Sequence, residues 1–145
     1  MTTWQRAAQV VRQYVTGLGV TAPWRSDNGS GLYDASAMSA RQLTTVLTAV
    51  ARQERYALDF WASLPVASQD GTLAKRFAQT SAADVLRAKT GTLDNVATLA
   101  GTLSHPTRPL YIAMLASGFA KKDRAAVKAV IDELASLAAA YQRAP

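Results

Sequence analysis

The apolar positions along the chain fall first into helical and then into strand-like rhythms. Trp4, Ala8, Val11, Val15 and Leu18 recur at steps of four and three, with Gln5, Arg6, Gln9 and Arg12 between them. This spacing predicts a helix over residues 3–18 whose stripe belongs to a core, closed by Gly17 and Gly19. Residues 20–38 carry no period and hold the turn dipeptides Asn28-Gly29 and Ser30-Gly31, so they read as a long connection. A structureless loop of that length in a compact domain points to a task. Ser39-Ala40-Arg41-Gln42 spells a capping box ahead of the stripe Leu43, Val46, Leu47 and Val50, which predicts a second helix. Helical character returns from Ala57 to Ser63, with Phe60 and Leu64 inward, and Pro65 ends it.

Residues 65–84 are irregular, with Asp70-Gly71 as a turn. Residues 85–103 read as an antiparallel hairpin whose first strand ends in Lys89-Thr90-Gly91. The continuous apolar run from Leu110 to Ala116 predicts a strand buried on both faces. Asp123 is placed to cap a last helix with the face Val127, Val130, Ile131, Leu134, Leu137 and Tyr141. The fold class is therefore α+β, one domain over residues 1–145 with a three-stranded antiparallel meander covered by helices. A sheet this small should expose an edge and an apolar face, so marginal stability or association is expected.

Composition narrows the function classes. The 145 residues contain no cysteine and a single histidine, His105, which leaves neither a disulfide nor a zinc site; no cofactor is called for. The net charge is +6, yet its cations are scattered and only pairs such as Lys75-Arg76 and Lys121-Lys122 are adjacent. Nucleic acid is accordingly not the expected partner. No apolar run is long enough to span a bilayer, and the start at Met1 is not a signal peptide, so an export signal would lie outside this chain.

Lys89-Thr90-Gly91 is the stretch that carries chemistry. A lysine ammonium and the hydroxyls of Thr90 and Thr92 can hold a carboxylate by charge-assisted hydrogen bonds. The glycine lets a neighbouring chain come close to the backbone. Alone, the triplet reads better as a solvated lysine at a strand end beside a glycine turn. Its company changes that. Asn28-Gly29-Ser30-Gly31-Leu32, Ser39-Ala40 opening a helix, Leu64-Pro65-Val66-Ala67, Asp70-Gly71-Thr72-Leu73 and Ala88-Lys89-Thr90-Gly91-Thr92-Leu93 follow one another in that order. The series resembles the C-terminal part of the D-alanyl-D-alanine carboxypeptidase/endopeptidase family of penicillin-binding proteins, over about residues 4–119.

The resemblance implies the C-terminal part of a β-lactamase/transpeptidase-like fold and serine-type hydrolysis of peptidoglycan stem peptides ending in D-Ala-D-Ala. It also implies an extracytoplasmic location and, for a full-length protein only, reaction with β-lactams. It assigns substrate binding to Lys89, Thr90, Thr92 and Ser30. Lys89, Thr90, Gly91 and Thr92 become the catalytic motif, with the Thr92 N–H as half of an oxyanion hole. The family's nucleophile is the serine of Ser-x-x-Lys, and no serine in this chain has a lysine three residues on. Ser26-Asp27-Asn28 spells the family's Ser-x-Asn signature but adjoins the Gly29-Ser30-Gly31-Leu32 loop. It reads as part of that loop, with Asn28 where the family has Asp. The chain is thus expected to lack the segments bearing both motifs and to be inactive alone. The alternatives are a non-catalytic peptidoglycan- or protein-binding module of the same descent and, more remotely, a basic nucleic-acid-binding domain.

Overall fold

A computed structural model describes residues 2–21, 23–32 and 35–144. Ala22, Tyr33 and Asp34 of the long connection lie outside the described residues. Helix α1 (Thr3–Gly17) opens with a capping box: Thr2 Oγ1 accepts from the Gln5 N–H, and Gln5 Oε1 accepts from the Thr2 N–H. Helix α2 (Ala40–Ala51) opens with the anticipated box between Ser39 and Gln42. Each pair satisfies two backbone donors that a helix start leaves free. The connection between these helices is not structureless. It folds on itself as a two-stranded antiparallel ribbon of β1 (Arg25–Ser26) and β2 (Ser36–Ala37).

Helix α3 (Ala57–Ala62) follows, and then an irregular stretch with a 3₁₀ turn at Gly71–Leu73. Four non-glycine residues of this stretch, Ser68, Phe77, Gln79 and Asp84, have left-handed backbone. Such residues persist only where their surroundings hold them, and here Leu73 and Phe77 are both buried.

Strands β3 (Leu86–Leu93), β4 (Val96–Leu103) and β5 (Leu110–Ser117) form one antiparallel sheet in the order β3-β4-β5. The meander expected from the sequence is the one found. Leu86 pairs with Leu103 and Leu93 with Val96, so a two-residue turn at Asp94 and Asn95 joins the first two strands. Side chains alternate across the sheet. One face carries Ala88, Ala97, Leu99, Leu103 and Ile112, and packs against Ile131, Ala135 and Ala139 of helix α4 (Arg124–Arg143). Leu73, Leu86, Leu99 and Leu103 are fully buried there, each contributing about 1.5–3 kcal/mol of transfer free energy. Gln142 fastens the end of α4 by donating to the carbonyls of Leu103 (3.0 Å) and Arg108 (2.8 Å). The Arg76 guanidinium pairs with the Asp132 carboxylate, tying the irregular stretch to α4.

The opposite face is covered by α2 and α3, with Trp61 stacked on Tyr111 of β5.

Three expectations need correcting. Trp4 and Val11 of α1 are 75% and 46% exposed, and only Ala8 of that helix is buried. The stripe is real but covered only in part, with Val15 and Leu18 half-buried. Helix α4 is turned from its expected setting. Its alanines meet the large Leu and Ile side chains of the sheet, while Val130, Leu134, Leu137 and Tyr141 face outward. Asp123 sits at the cap position without a side-chain cap bond. Finally, β5 is an edge strand in which only Ile112 is buried, not a strand enclosed on both faces.

Candidate active site on strand β3

Lys89, Thr90, Gly91 and Thr92 lie in the middle of β3, because the strand runs on through Leu93 before turning. Lys89 therefore does not end a strand, and Gly91 is not in a turn; it pairs with Thr98 of β4. The alternation that buries Ala88 towards α4 turns Lys89 and Gly91 to the α2 side. A methyl group on Gly91 would run into Thr98 Oγ1. The close approach that this glycine permits is thus to a side chain of the next strand.

Lys89 stands at the rim of a cleft of about 300 Å³. Thr98, Ala100 and Leu115 floor it, α2 walls it with Leu43, Val46 and Leu47, and Phe60 and Leu64 close its end. The inward placement expected for Phe60 and Leu64 is met there. The lysine is exposed and its Nζ donates to the Thr90 carbonyl at 2.6 Å. A larger cavity of about 710 Å³, lined by Val11, Val15, Trp24 and Met38, adjoins this cleft through the shared Leu43, Val46, Thr98 and Leu115.

The edge of β3 is divided. Its first half is covered by residues 65–67: the Ala67 N–H donates to the Leu86 carbonyl (2.9 Å), and the Ala88 N–H donates to the Pro65 carbonyl (3.1 Å). In an antiparallel ladder, alternate residues turn both backbone groups to the same side. The N–H and C=O groups of Thr90 and Thr92 consequently face the edge, beyond the end of the covering segment. Among the described residues no backbone group pairs with them. An extended peptide could do so.

The covering segment is itself held. Asp70 Oδ1 accepts from the Val66 N–H at 2.6 Å, so Asp70 is the turn former that its sequence context predicted. Gly71, at φ +51°, leaves room for the Pro65 ring, and Leu73 anchors the turn in the core. These constraints place the Thr72 hydroxyl 2.9 Å from Thr90 Oγ1. The spacing of the motifs brought Asp70-Gly71-Thr72-Leu73 to notice, but only as a turn; its contact with Thr90 was missed.

Ser30 lies elsewhere. Asn28 Oδ1 accepts from the Ser30 N–H (3.1 Å), the Ser30 hydroxyl (3.0 Å) and the Gly31 N–H (3.1 Å), closing the loop between β1 and β2. Asn28 thus serves the turn with its amide oxygen, and Ser26 ends β1 where Asp27 and Asn28 open this loop. No recorded hydrogen bond or shared cavity joins Ser30 to Lys89 among the described residues. His105 Nδ1 accepts from the Thr107 and Arg108 N–H groups and so shapes the loop between β4 and β5.

The Lys-Thr-Gly triplet thus lies on the outer strand of an antiparallel sheet that has helices on both faces. The chain belongs to the D-Ala-D-Ala carboxypeptidase 3 (S13) family, whose model it matches over residues 1–141. It is 34% identical over 122 residues to a D-alanyl-D-alanine carboxypeptidase of Actinomadura sp. (strain R39), a match covering 80% of this chain and 22% of that protein. It is 36% identical over 87 residues to penicillin-sensitive carboxypeptidase A of Dictyostelium discoideum, covering 57% of this chain and 16% of the relative. The matches thus span about a fifth of the length of these curated relatives. Among solved structures, penicillin binding protein 4 of Haemophilus influenzae superposes with a TM-score of 0.72 at 23% identity, over 81% of this chain and 26% of that one. A predatory peptidoglycan endopeptidase of Bdellovibrio bacteriovorus gives 0.71 at 20% identity, over 94% and 37%. At these identities the structures establish the fold.

Proposed function

We propose that this chain supplies the substrate-side strand of a serine-type D-Ala-D-Ala carboxypeptidase that hydrolyses peptidoglycan stem peptides through an acyl-enzyme. The observation that carries the reading is the divided edge of β3. Beyond residues 65–67, the outward backbone groups of Thr90 and Thr92 stand beside the Lys89 ammonium at the rim of an apolar cleft. A peptide lying along that edge would pair with the backbone, and its terminal carboxylate would meet Lys89 and the threonine hydroxyls. The Thr92 N–H would stabilise the oxyanion that develops as the acyl group transfers. Ser30 would join from its loop only if the substrate itself reached that far. β-Lactams would enter by the same edge, and the work would be done outside the cytoplasmic membrane. Among the described residues no helix is long and apolar enough to cross a membrane.

The chain's own sequence sets the test. Without Ser-x-x-Lys, these 145 residues should form no covalent adduct with a fluorescent penicillin on a denaturing gel. A version extended upstream to include that motif should label. An adduct on the 145 residues would sink the assignment of the nucleophile to another segment. Failure of the extended protein to label, or an upstream gene sequence with no Ser-x-x-Lys, would favour the non-catalytic module, a reading that the missing nucleophile also supports.

A further inference from the structure

Thr72 meets the Thr90 hydroxyl with its own, and it does so from a turn held by the core and by β3. Asp70 holds Val66, Gly71 accommodates Pro65, Leu73 is buried, and residues 65–67 are bonded to β3 itself. The turn and the strand therefore form one unit, which brings the two hydroxyls within hydrogen-bonding reach at 2.9 Å. We propose that Thr72 is a positioning residue for the Lys-Thr-Gly strand, holding Thr90 Oγ1 so that its proton points to a peptide carboxylate. The proposal rests on the substrate reading above.

The chemistry follows from the count of protons. A hydroxyl has one proton to donate and lone pairs that accept, whereas a carboxylate only accepts. If Thr90 gives its proton to Thr72, none remains for a ligand. If Thr72 gives its proton to Thr90, the Thr90 proton is freed and its oxygen is held. A carboxylate at the edge selects the second arrangement, giving a chain from Thr72 to Thr90 to the carboxylate in which each bond polarises the next. The contact also fixes which χ1 well a half-buried, β-branched side chain occupies. Serine at position 72 can do all of this and valine can do none of it.

The test uses isotope-labelled 145-residue chain as wild type, Thr72→Val and Thr72→Ser. NMR scalar couplings to the Thr90 methyl report its χ1, and the Thr90 and Thr92 amide shifts follow a titration with an N-acetylated peptide ending in D-Ala-D-Ala. Thr72→Val should average the Thr90 rotamer and weaken the titration by about three- to tenfold, with the thermal midpoint unchanged. Thr72→Ser should restore both. A single Thr90 rotamer in Thr72→Val, or an unweakened titration, overturns the positioning role while leaving the substrate reading intact. Rotamer averaging in Thr72→Val with no peptide-induced shift in the wild type sinks the substrate reading alone.

Discussion

Asp84 shows how a single side chain supports the site from behind. Its backbone is left-handed, its N–H donates to the Ala67 carbonyl (3.2 Å), and its Oδ1 accepts from Gln69 Nε2 (3.0 Å) and the Ser68 hydroxyl (3.1 Å). The bonds from Gln69 and then Ser68, with a smaller attraction to Arg143, hold its carboxyl below the ordinary value of 3.8. A depressed carboxyl stabilises the fold above its unfolded pKa, and that contribution is lost as pH falls through the folded value. Asp84→Asn keeps a residue that tolerates the left-handed backbone. It should lower the denaturation midpoint at pH 7 and leave the midpoint unchanged well below pH 3.8. Urea melts at the two pH values check this; an equal loss at both would show that the charge is irrelevant. At this scale the sequence was half legible. The candidate triplet stood out because its residue types match a carboxylate. The Thr72–Thr90 contact did not, because a hydroxyl pair between two distant segments has no spacing signature.

The hairpin of β3 and β4 depends on two glycines whose neighbours differ. A methyl group on Gly101 would strike the Arg87 carbonyl and the Ala88 Cα, which are backbone of the paired strand. On Gly91 it would meet only the Thr98 hydroxyl, which can swing away. Gly101→Ala should therefore cost about 3 kcal/mol and Gly91→Ala about 1 kcal/mol. In a Thr98→Ala background, Gly91→Ala should cost nothing, since alanine gives up less chain entropy than glycine. Double-mutant melts measure this; a cost that persists without Thr98 would remove the steric explanation. Helix limits were read closely, since capping boxes and apolar periods are local signals, but β3 runs past Gly91 to Leu93 and the β1–β2 ribbon was not foreseen. What failed was the extent of burial in α1 and β5 and the facing of α4. A period says which residues share a face, but whether that face is covered depends on elements far away in the chain.

Taken whole, the chain leaves large apolar side chains in contact with water on two helices. Trp4, Val10, Val11 and Tyr14 lie on α1, and Val130, Leu134, Leu137 and Tyr141 lie on α4. Patches of this kind favour association. Sedimentation velocity should show self-association that grows with concentration and weakens in Leu134→Asp/Leu137→Asp. A monomer with a cooperative melt at every concentration would contradict this. The two-residue turn at Asp94 and Asn95 bears on how the molecule comes to be folded at all. It lets β3 and β4 find each other as a hairpin, an event of about 1–10 μs, whereas residues 65–67 must be gathered from further along the chain at a higher loop-closure cost. The hairpin that carries Lys89 would then form before residues 65–67 cover its outer groups, when another nascent chain could add to it. A lysine at such an edge discourages strand addition. In this reading Lys89 guards the strand against mispairing during folding, before any peptide is bound.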